Sequence, residues 1–163
     1  MNIPEFLPEL PEEQYRALKD QAAMIRQIYL RKPIGHSNVA IGEIYLDNGS
    51  CFGAGATSKG GRKSPIPQPP PRSQGGQFEP SWDSYSGRIM DTDAELKVLD
   101  AIATTLATRY DRTVSGSLYL YTELQLCTSC RGVVEQFQEK FPNICLFIAW
   151  DIPYPPTALS DSL

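Results

Sequence analysis

The sequence has few of the residues that build metal sites from imidazole or stabilise small folds through disulfides. It contains one His and four Cys in 163 residues. A single His excludes a metal site made of several imidazoles, and four Cys are too few for a disulfide scaffold. The net charge of −4 excludes a uniformly basic protein that coats nucleic acid, but it allows a local basic patch.

Long hydrophobic runs are also missing. No segment approaches the roughly 18–20 apolar residues that a membrane span needs. The start of the chain, MNIPEFLPELPEEQ, is acidic and interrupted by proline, so it does not match a secretory signal peptide. We therefore expect a soluble protein without a targeting signal of its own, and its length suits one domain with a sizeable core.

Hydrophobic periodicity predicts helices and strands that alternate along the chain. The expected elements are a helix over 11–32, a β-hairpin over 38–58, a loop over 59–77, a helix over 91–110, a strand over 117–123, a helix over 127–141 and a strand over 144–150. The last strand is continuously apolar, which is typical of a strand covered on both faces. The order predicts a right-handed βαβ unit near the end and an α/β sandwich on a small mixed sheet.

The predicted organisation has three parts. Residues 1–36 form an N-terminal helical extension, residues 37–150 the main domain and residues 151–163 a tail. Within the main domain, residues 59–77 contain five Pro, four Gly, four Lys or Arg and no acidic residue. This composition predicts a mobile loop whose length suggests a function, although most such segments are merely solvated linkers.

Two short clusters are candidates for chemistry. The first is DTDAE, residues 91–95, and the second is CTSC, residues 127–130; each stands at the predicted start of a helix. A helix N-terminus favours thiolate over thiol, and the spacing of Cys127 and Cys130 lets both sulfurs face one zinc ion. Two thiolates supply half of a tetrahedral site, so other ligands must come from elsewhere in the fold.

Both clusters also have ordinary interpretations. Thr92 and Glu95 match a T-x-x-E capping box. Cys127 and Cys130 match a thioredoxin-like redox pair, but that pair lies near the start of its domain and this one lies near the end. A redox pair is therefore the less favoured interpretation, and two inert thiols are less favoured still.

Taken together, the clusters resemble the zinc-dependent nucleobase deaminases, whose signature is H-x-E followed by P-C-x-x-C, each opening a helix. The similarity extends to the segments NVAIGEI, DAELKVLDAIATTLA and SLYLYTELQLCTSCRGVVEQFQEKFPNI, which resemble the deaminase family of bacterial polymorphic toxins. In that branch the His of the first motif is commonly Asp. The resemblance covers roughly residues 38–148 and implies a three-layer cytidine deaminase-like sandwich with about five strands or fewer.

The resemblance also implies a zinc cofactor and a division of roles. Asp93, Cys127 and Cys130 would ligate zinc, with water as the fourth ligand. Glu95 would not be a ligand; it would take a proton from that water and pass it to the base ring and the leaving amine.

Three residues are expected to contact substrate. Asn38 matches a family position whose amide contacts the sugar or base, and the main chain of Ala94 matches one that contacts the base edge. His36, the only His, precedes the first strand and receives at most a secondary contact with a phosphate or sugar.

Two residues depart from the superfamily pattern. Leu126 stands where Pro is usual, which changes only the entry into the helix. Asp93 replaces His, so the zinc would carry three anionic ligands. We expect it to be a weaker Lewis acid than a His/Cys/Cys site, with a higher pKa for its water.

The expected substrate is cytosine in nucleic acid, with DNA ahead of RNA and single strands slightly ahead of duplexes. Cations beside aromatic rings suit a single strand, whereas the net charge of −4 favours a free nucleoside. The expected nucleic-acid-binding residues are Lys59, Arg62, Lys63 and Trp82, with Arg72, Phe78 and Tyr85 beside them.

Three hypotheses of different classes follow. The first is a zinc-dependent cytosine deaminase, the second a thiol redox protein, and the third a non-catalytic zinc-binding module on a deaminase fold. As a toxin domain, the chain would be a monomer without membrane contact, would be delivered into the cytoplasm of a target cell and would have an immunity protein as partner.

Overall fold

The computed structural model describes residues 10–35, 37–70, 72–79, 82–83, 88–89, 94–125 and 128–152. Its helices are α1 (Glu12–Ile25), α2 (Ala94–Arg109) and α3 (Thr128–Lys140), and α1 continues as a π-helical segment, Arg26–Leu30. Its strands are β1 (Val39–Leu46), β2 (Cys51–Thr57), β3 (Trp82–Asp83), β4 (Arg88–Ile89), β5 (Gly116–Leu124) and β6 (Ile144–Ile152). Two short 3₁₀ turns, Gly61–Lys63 and Arg72–Gln74, lie in the loop over residues 59–77, called the basic loop below.

A four-stranded mixed sheet in the order β2-β1-β5-β6 forms the centre of the domain. β1 is antiparallel to both β2 and β5, whereas β5 and β6 are parallel. The parallel pair with α3 between its strands is the predicted βαβ unit. The predicted α/β fold with a small mixed sheet is confirmed, and β3 and β4 form a separate two-stranded ribbon.

Helices cover both faces of this sheet and so make three layers. The main core lies under α2 and α3, and a second cluster lies under α1, where Leu18 and Ala22 pack near Val39 and Ile41. Pleating sends alternate residues of β1 to opposite layers. Gly42 faces α2, where an added Cβ would come within 2.8 Å of Val98 Cγ1. The missing side chain lets α2 approach the strands closely.

The first helix is part of these layers. Pro11 precedes it, Glu12 and Glu13 occupy its first turn, and Arg31 closes the π-helical segment with a left-handed φ of 57°. The division of the chain at residue 36 stays a prediction.

Polar contacts also join α1 to the end of β6. Asp151 accepts hydrogen bonds from Tyr15 and Tyr121 and pairs with Lys19 at 3.1 Å. Burial alone would raise the pKa of the Asp151 carboxyl, but these bonds outweigh burial and hold its pKa below the ordinary value.

The prediction that β6 is covered on both faces is confirmed only in part, since Phe147 and Ala149 on the second face are partly buried against the cluster under α1. Ile144, Leu146 and Ile148 are buried in the main core, but Cys145 on the opposite face is exposed and Trp150 is 41% exposed. β6 lies at the edge of the sheet, and α1 lies mainly over β1 and β5. In the described part of the chain, no helix is long and apolar enough to cross a membrane.

Candidate active site

Of the residues predicted to catalyse, to bind zinc or to contact the base, the structure describes three in full: Glu95, Asn38 and Ala94. Asp93, Cys127 and His36 lie outside the described residues, as does Thr92 of the possible capping box. Cys130 lies in α3 and Trp82 in β3, but their side chains are outside the description. Among the described residues, no group of three His, Cys, Asp or Glu side chains could hold a metal ion. The predicted ligand set therefore stays a prediction.

Glu95 is a buried carboxylate in the first turn of α2, only 4% exposed. Its Oε1 accepts a hydrogen bond from Asn38 Nδ2 at 2.8 Å and another from Thr122 Oγ1 at 2.7 Å. Because Asn38 directly precedes β1 and Thr122 lies in β5, the carboxylate is fixed by groups from two neighbouring strands. A buried acid held in this way is pre-organised, as a proton-transferring residue must be.

Asn38 directly precedes β1 and is 6% exposed. Its Nδ2 donates to Glu95 and to Thr122 Oγ1, both at 2.8 Å, and its Oδ1 accepts from Leu124 N at 3.0 Å. The main-chain donor at Oδ1 fixes which way the amide points. Asn38 therefore positions Glu95, and its contact with substrate stays a prediction.

Thr122 is a site residue that sequence reasoning misses. Its hydroxyl can accept from Asn38 and donate its single proton either to Glu95 or to Leu124 O, 2.8 Å away. The sequence signal that could have revealed it is a lone Thr near the end of an apolar strand, just before CTSC; in the structure this residue is fully buried.

We expect Thr122→Val to lower kcat by about 10- to 100-fold, because Glu95 loses a fixed hydrogen-bond partner of the kind worth roughly 1.5–3 kcal/mol. The measurement is steady-state deamination beside the free energy of unfolding. Thr108→Val is the matched control, since Thr108 is exposed on α2 and donates only to Thr104 O. An unchanged kcat in Thr122→Val would contradict the role assigned to this hydroxyl.

The geometry brings the starts of α2 and α3 to the same end of the domain. Glu95 in α2 contacts Thr122 near the end of β5, and the chain leaves that strand to enter α3 at Thr128. Ala94 is buried at the start of α2, where main-chain N–H groups have no partner within the helix. Such donors suit the predicted contact of Ala94 with a base edge.

Lys97, also missed from the sequence, ties the basic loop to α2. It is fully buried, and its Nζ donates to Thr57 O at 2.8 Å and to Lys59 O at 2.5 Å. Thr57 further binds Ser64 and the main chain of Lys63, which closes the start of the loop. The loop is thus held within one helical turn of Glu95.

The side chains of Lys59, Arg62 and Lys63 are exposed, as nucleic-acid contacts require. Phe78 is different: it is 2% exposed and packs on Phe137 with ring centroids 6.1 Å apart. The expectation that Phe78 offers a stacking surface is wrong, because this ring fastens the end of the loop to the core. Tyr85 lies outside the described residues.

Asp100 fastens the same end of the loop. Its Oδ2 accepts a hydrogen bond from Gln77 N at 2.9 Å. Burial raises the pKa of the Asp100 carboxyl, against the opposing effect of the bonds from Gln77 and Thr104.

A mixed sheet between helices, with a fixed carboxylate in the first turn of α2 and a C-x-x-C sequence that runs into α3, is the arrangement of a deaminase-like fold. Residues 80–150 match the BURPS668_1122 family of deaminases, a toxin-deaminase family. The match confirms, over this segment, the resemblance seen in the sequence. Comparison with curated proteins gave no match.

For residues 80–150, the family match supports a deaminase toxin domain and, in general terms, a hydrolase acting on C–N bonds. It spans Glu95 and the three predicted zinc ligands but not Asn38. Asn38 enters the site through its hydrogen bond to Glu95 instead.

Proposed function

We propose that the chain is a zinc-dependent deaminase that converts cytosine to uracil in nucleic acid, with single-stranded DNA as the favoured substrate. The observation that carries the proposal is the buried Glu95 carboxylate, fixed by Asn38 and Thr122 inside a segment of the toxin-deaminase family. The reaction consumes water and releases ammonia, so it needs a group that moves protons at the ring and at the leaving amine.

The predicted donor set fits zinc. Asp93, Cys127 and Cys130 offer one carboxylate and two thiolates, which are ordinary zinc ligands, and three protein ligands leave a position open for catalysis. When bound, zinc would supply a water nucleophile near neutral pH.

Glu95 performs the proton transfers in this proposal. It takes one proton from the attacking water and delivers it to N3 of cytosine, then takes the second proton from the hydroxyl of the C4 adduct and passes it to the departing amine as the carbonyl forms. Asn38 and Thr122 hold Oε1 in place during these transfers, while Ala94 N–H orients the base edge. The product is uracil with one molecule of ammonia.

Nucleic acid is favoured over a free nucleoside because of the basic loop. Lys97 anchors the loop close to Glu95, and the turn Gly61–Lys63 lies against the π-helical segment. Exposed cations in this position suit a track for backbone phosphates.

The test is deep sequencing of cytosine-containing DNA and RNA, each single- and double-stranded, after incubation with zinc-loaded protein. We expect cytosine to read as thymine most often in single-stranded DNA. Metal-loaded, folded protein that converts no cytosine in any of the four would refute the proposal, and preferential conversion of RNA would correct its substrate.

We expect Arg62→Gln with Lys63→Gln to raise KM for an oligonucleotide and to leave kcat nearly unchanged. The slope of log affinity against log salt should fall by about 0.7 for each phosphate of the single strand that the variant no longer neutralises. Activity measured across a salt series tests this expectation. The matched control, Arg16→Gln with Arg109→Gln, removes two exposed cations from α1 and α2. Equal salt slopes for both variants would exclude the basic loop from binding.

A further inference from the structure

Arg26 and Glu123 form a buried ion pair beside the candidate site. Their side chains are 7% and 3% exposed, and the guanidinium meets the carboxylate at 2.9 Å (Nε to Oε2) and 2.6 Å (Nη2 to Oε1). This two-point geometry is the strong form of an arginine–carboxylate contact. It joins the start of the π-helical segment to β5.

The same guanidinium holds the segment that leads to Asn38. Nη1 donates to the carbonyls of Lys32 and Pro33 at 3.0 and 2.9 Å, and Nη2 donates to that of Ser37 at 3.0 Å. Ser37 has a φ of 67°, a left-handed conformation unfavourable for a residue with a side chain. Such a conformation persists where surrounding contacts enforce it, and here Arg26 supplies one of those contacts.

Glu123 binds the main chain on the C-terminal side of Asn38. Its Oε1 accepts the N–H of Val39 at 3.1 Å, so the ion pair binds both main-chain neighbours of Asn38. On β5, Glu123 stands between Thr122, which contacts Glu95, and Leu124, whose N–H binds Asn38 Oδ1. The ion pair therefore contacts the main chain on both sides of Asn38, next to the hydrogen bonds that fix Glu95.

Stability alone is a poor explanation for this pair, since well-packed apolar side chains often replace a buried ion pair without loss of stability. We propose that Arg26, through Glu123, is a positioning residue that holds Asn38 against Glu95. The N-terminal helical segment is then part of the catalytic apparatus. The catalytic consequence rests on the proposed deaminase function.

The test compares two double variants with identical substitutions. Arg26→Met with Glu123→Leu replaces the buried pair by apolar groups, and Arg16→Met with Glu12→Leu removes an exposed pair on α1. For the buried pair we expect kcat on a cytosine-containing single-stranded oligodeoxynucleotide to fall about 10- to 100-fold with little change in KM. Hydrogen exchange of the Asn38 side-chain amide, followed by NMR, should accelerate. The exposed-pair variant should match the wild type in both readouts.

Unchanged kcat and unchanged Asn38 exchange in a folded Arg26→Met/Glu123→Leu protein would overturn the inference. If the wild type deaminates nothing but Asn38 exchange still accelerates in this variant, the proposed function fails and the positioning role stands. If the double variant does not fold, Arg26→Lys replaces it. A lysine keeps the positive charge, but it cannot contact Glu123 at two points and donate to the main-chain carbonyls at the same time. Arg26→Lys with wild-type kcat and wild-type Asn38 exchange would equally overturn the inference.

Discussion

Glu95→Gln is expected to lower the rate of deamination by about 10²–10⁴-fold, the usual contribution of a general acid–base residue. Glutamine keeps an Oε1 that accepts the hydrogen bonds from Asn38 and Thr122, so the local structure should survive. What it loses is the ability to take up and release a proton. We therefore expect kcat to fall while the bound metal and the free energy of unfolding stay close to their wild-type values.

The measurement is conversion of cytosine to uracil in parallel with metal content and thermal unfolding. Glu13→Gln is the control, because Glu13 also lies in the first turn of a helix but is exposed. A Glu95→Gln protein that converts cytosine at the wild-type rate would remove Glu95 from the mechanism. It would then favour a binding module in which this acid only completes a buried hydrogen-bond network.

Periodicity is sufficient to predict the order of helices and strands, because each long element carries its own pattern. The stripe of Leu96, Leu99 and Ile102 marks α2 whatever it packs against. The π-helical segment that extends α1 has no such signal, since its residues continue the helical pattern of Glu12–Ile25. Its consequence is nevertheless large, because Arg26 at its start reaches Glu123.

Partners that meet across the fold cannot be predicted from one sequence. Asn38 and Glu95 are 57 positions apart, and their contact depends on the close approach of α2 at Gly42. By its sequence, Lys97 resembles an ordinary solvated lysine on a helix. It is buried because two main-chain carbonyls, those of Thr57 and Lys59, accept its protons, and no sequence pattern announces such acceptors.

The expectation for the aromatic residue after the basic loop fails for a related reason. A ring beside cations is typical of a nucleic-acid surface, and this pattern predicts that Phe78 stacks on bases. A loop of this length must also be fastened at its far end, and a large apolar side chain does so by entering the core. Composition alone does not separate the two uses, whereas burial against Phe137 does.

Cys127→Ser is expected to abolish both metal binding and deamination. A serine hydroxyl stays protonated near neutral pH and does not replace a thiolate as a zinc ligand, so two donors of the predicted set would remain. We expect about one zinc per chain in the wild type and close to none in the variant, measured by elemental analysis of protein purified without chelator. Conversion of cytosine should fall to background, and added zinc should not restore it.

The other two cysteines of the chain provide matched controls. Cys51 begins β2 and Cys145 lies in β6, both as exposed free thiols, so Cys51→Ser and Cys145→Ser should keep metal and activity. This comparison also separates the deaminase from a redox protein. If Cys127 and Cys130 were a redox pair, the activity of the protein would depend on their reversible oxidation, and a metal chelator would not change it. Full zinc content in Cys127→Ser would show that the metal is held by other residues, and the C-x-x-C sequence would then lose its assigned role.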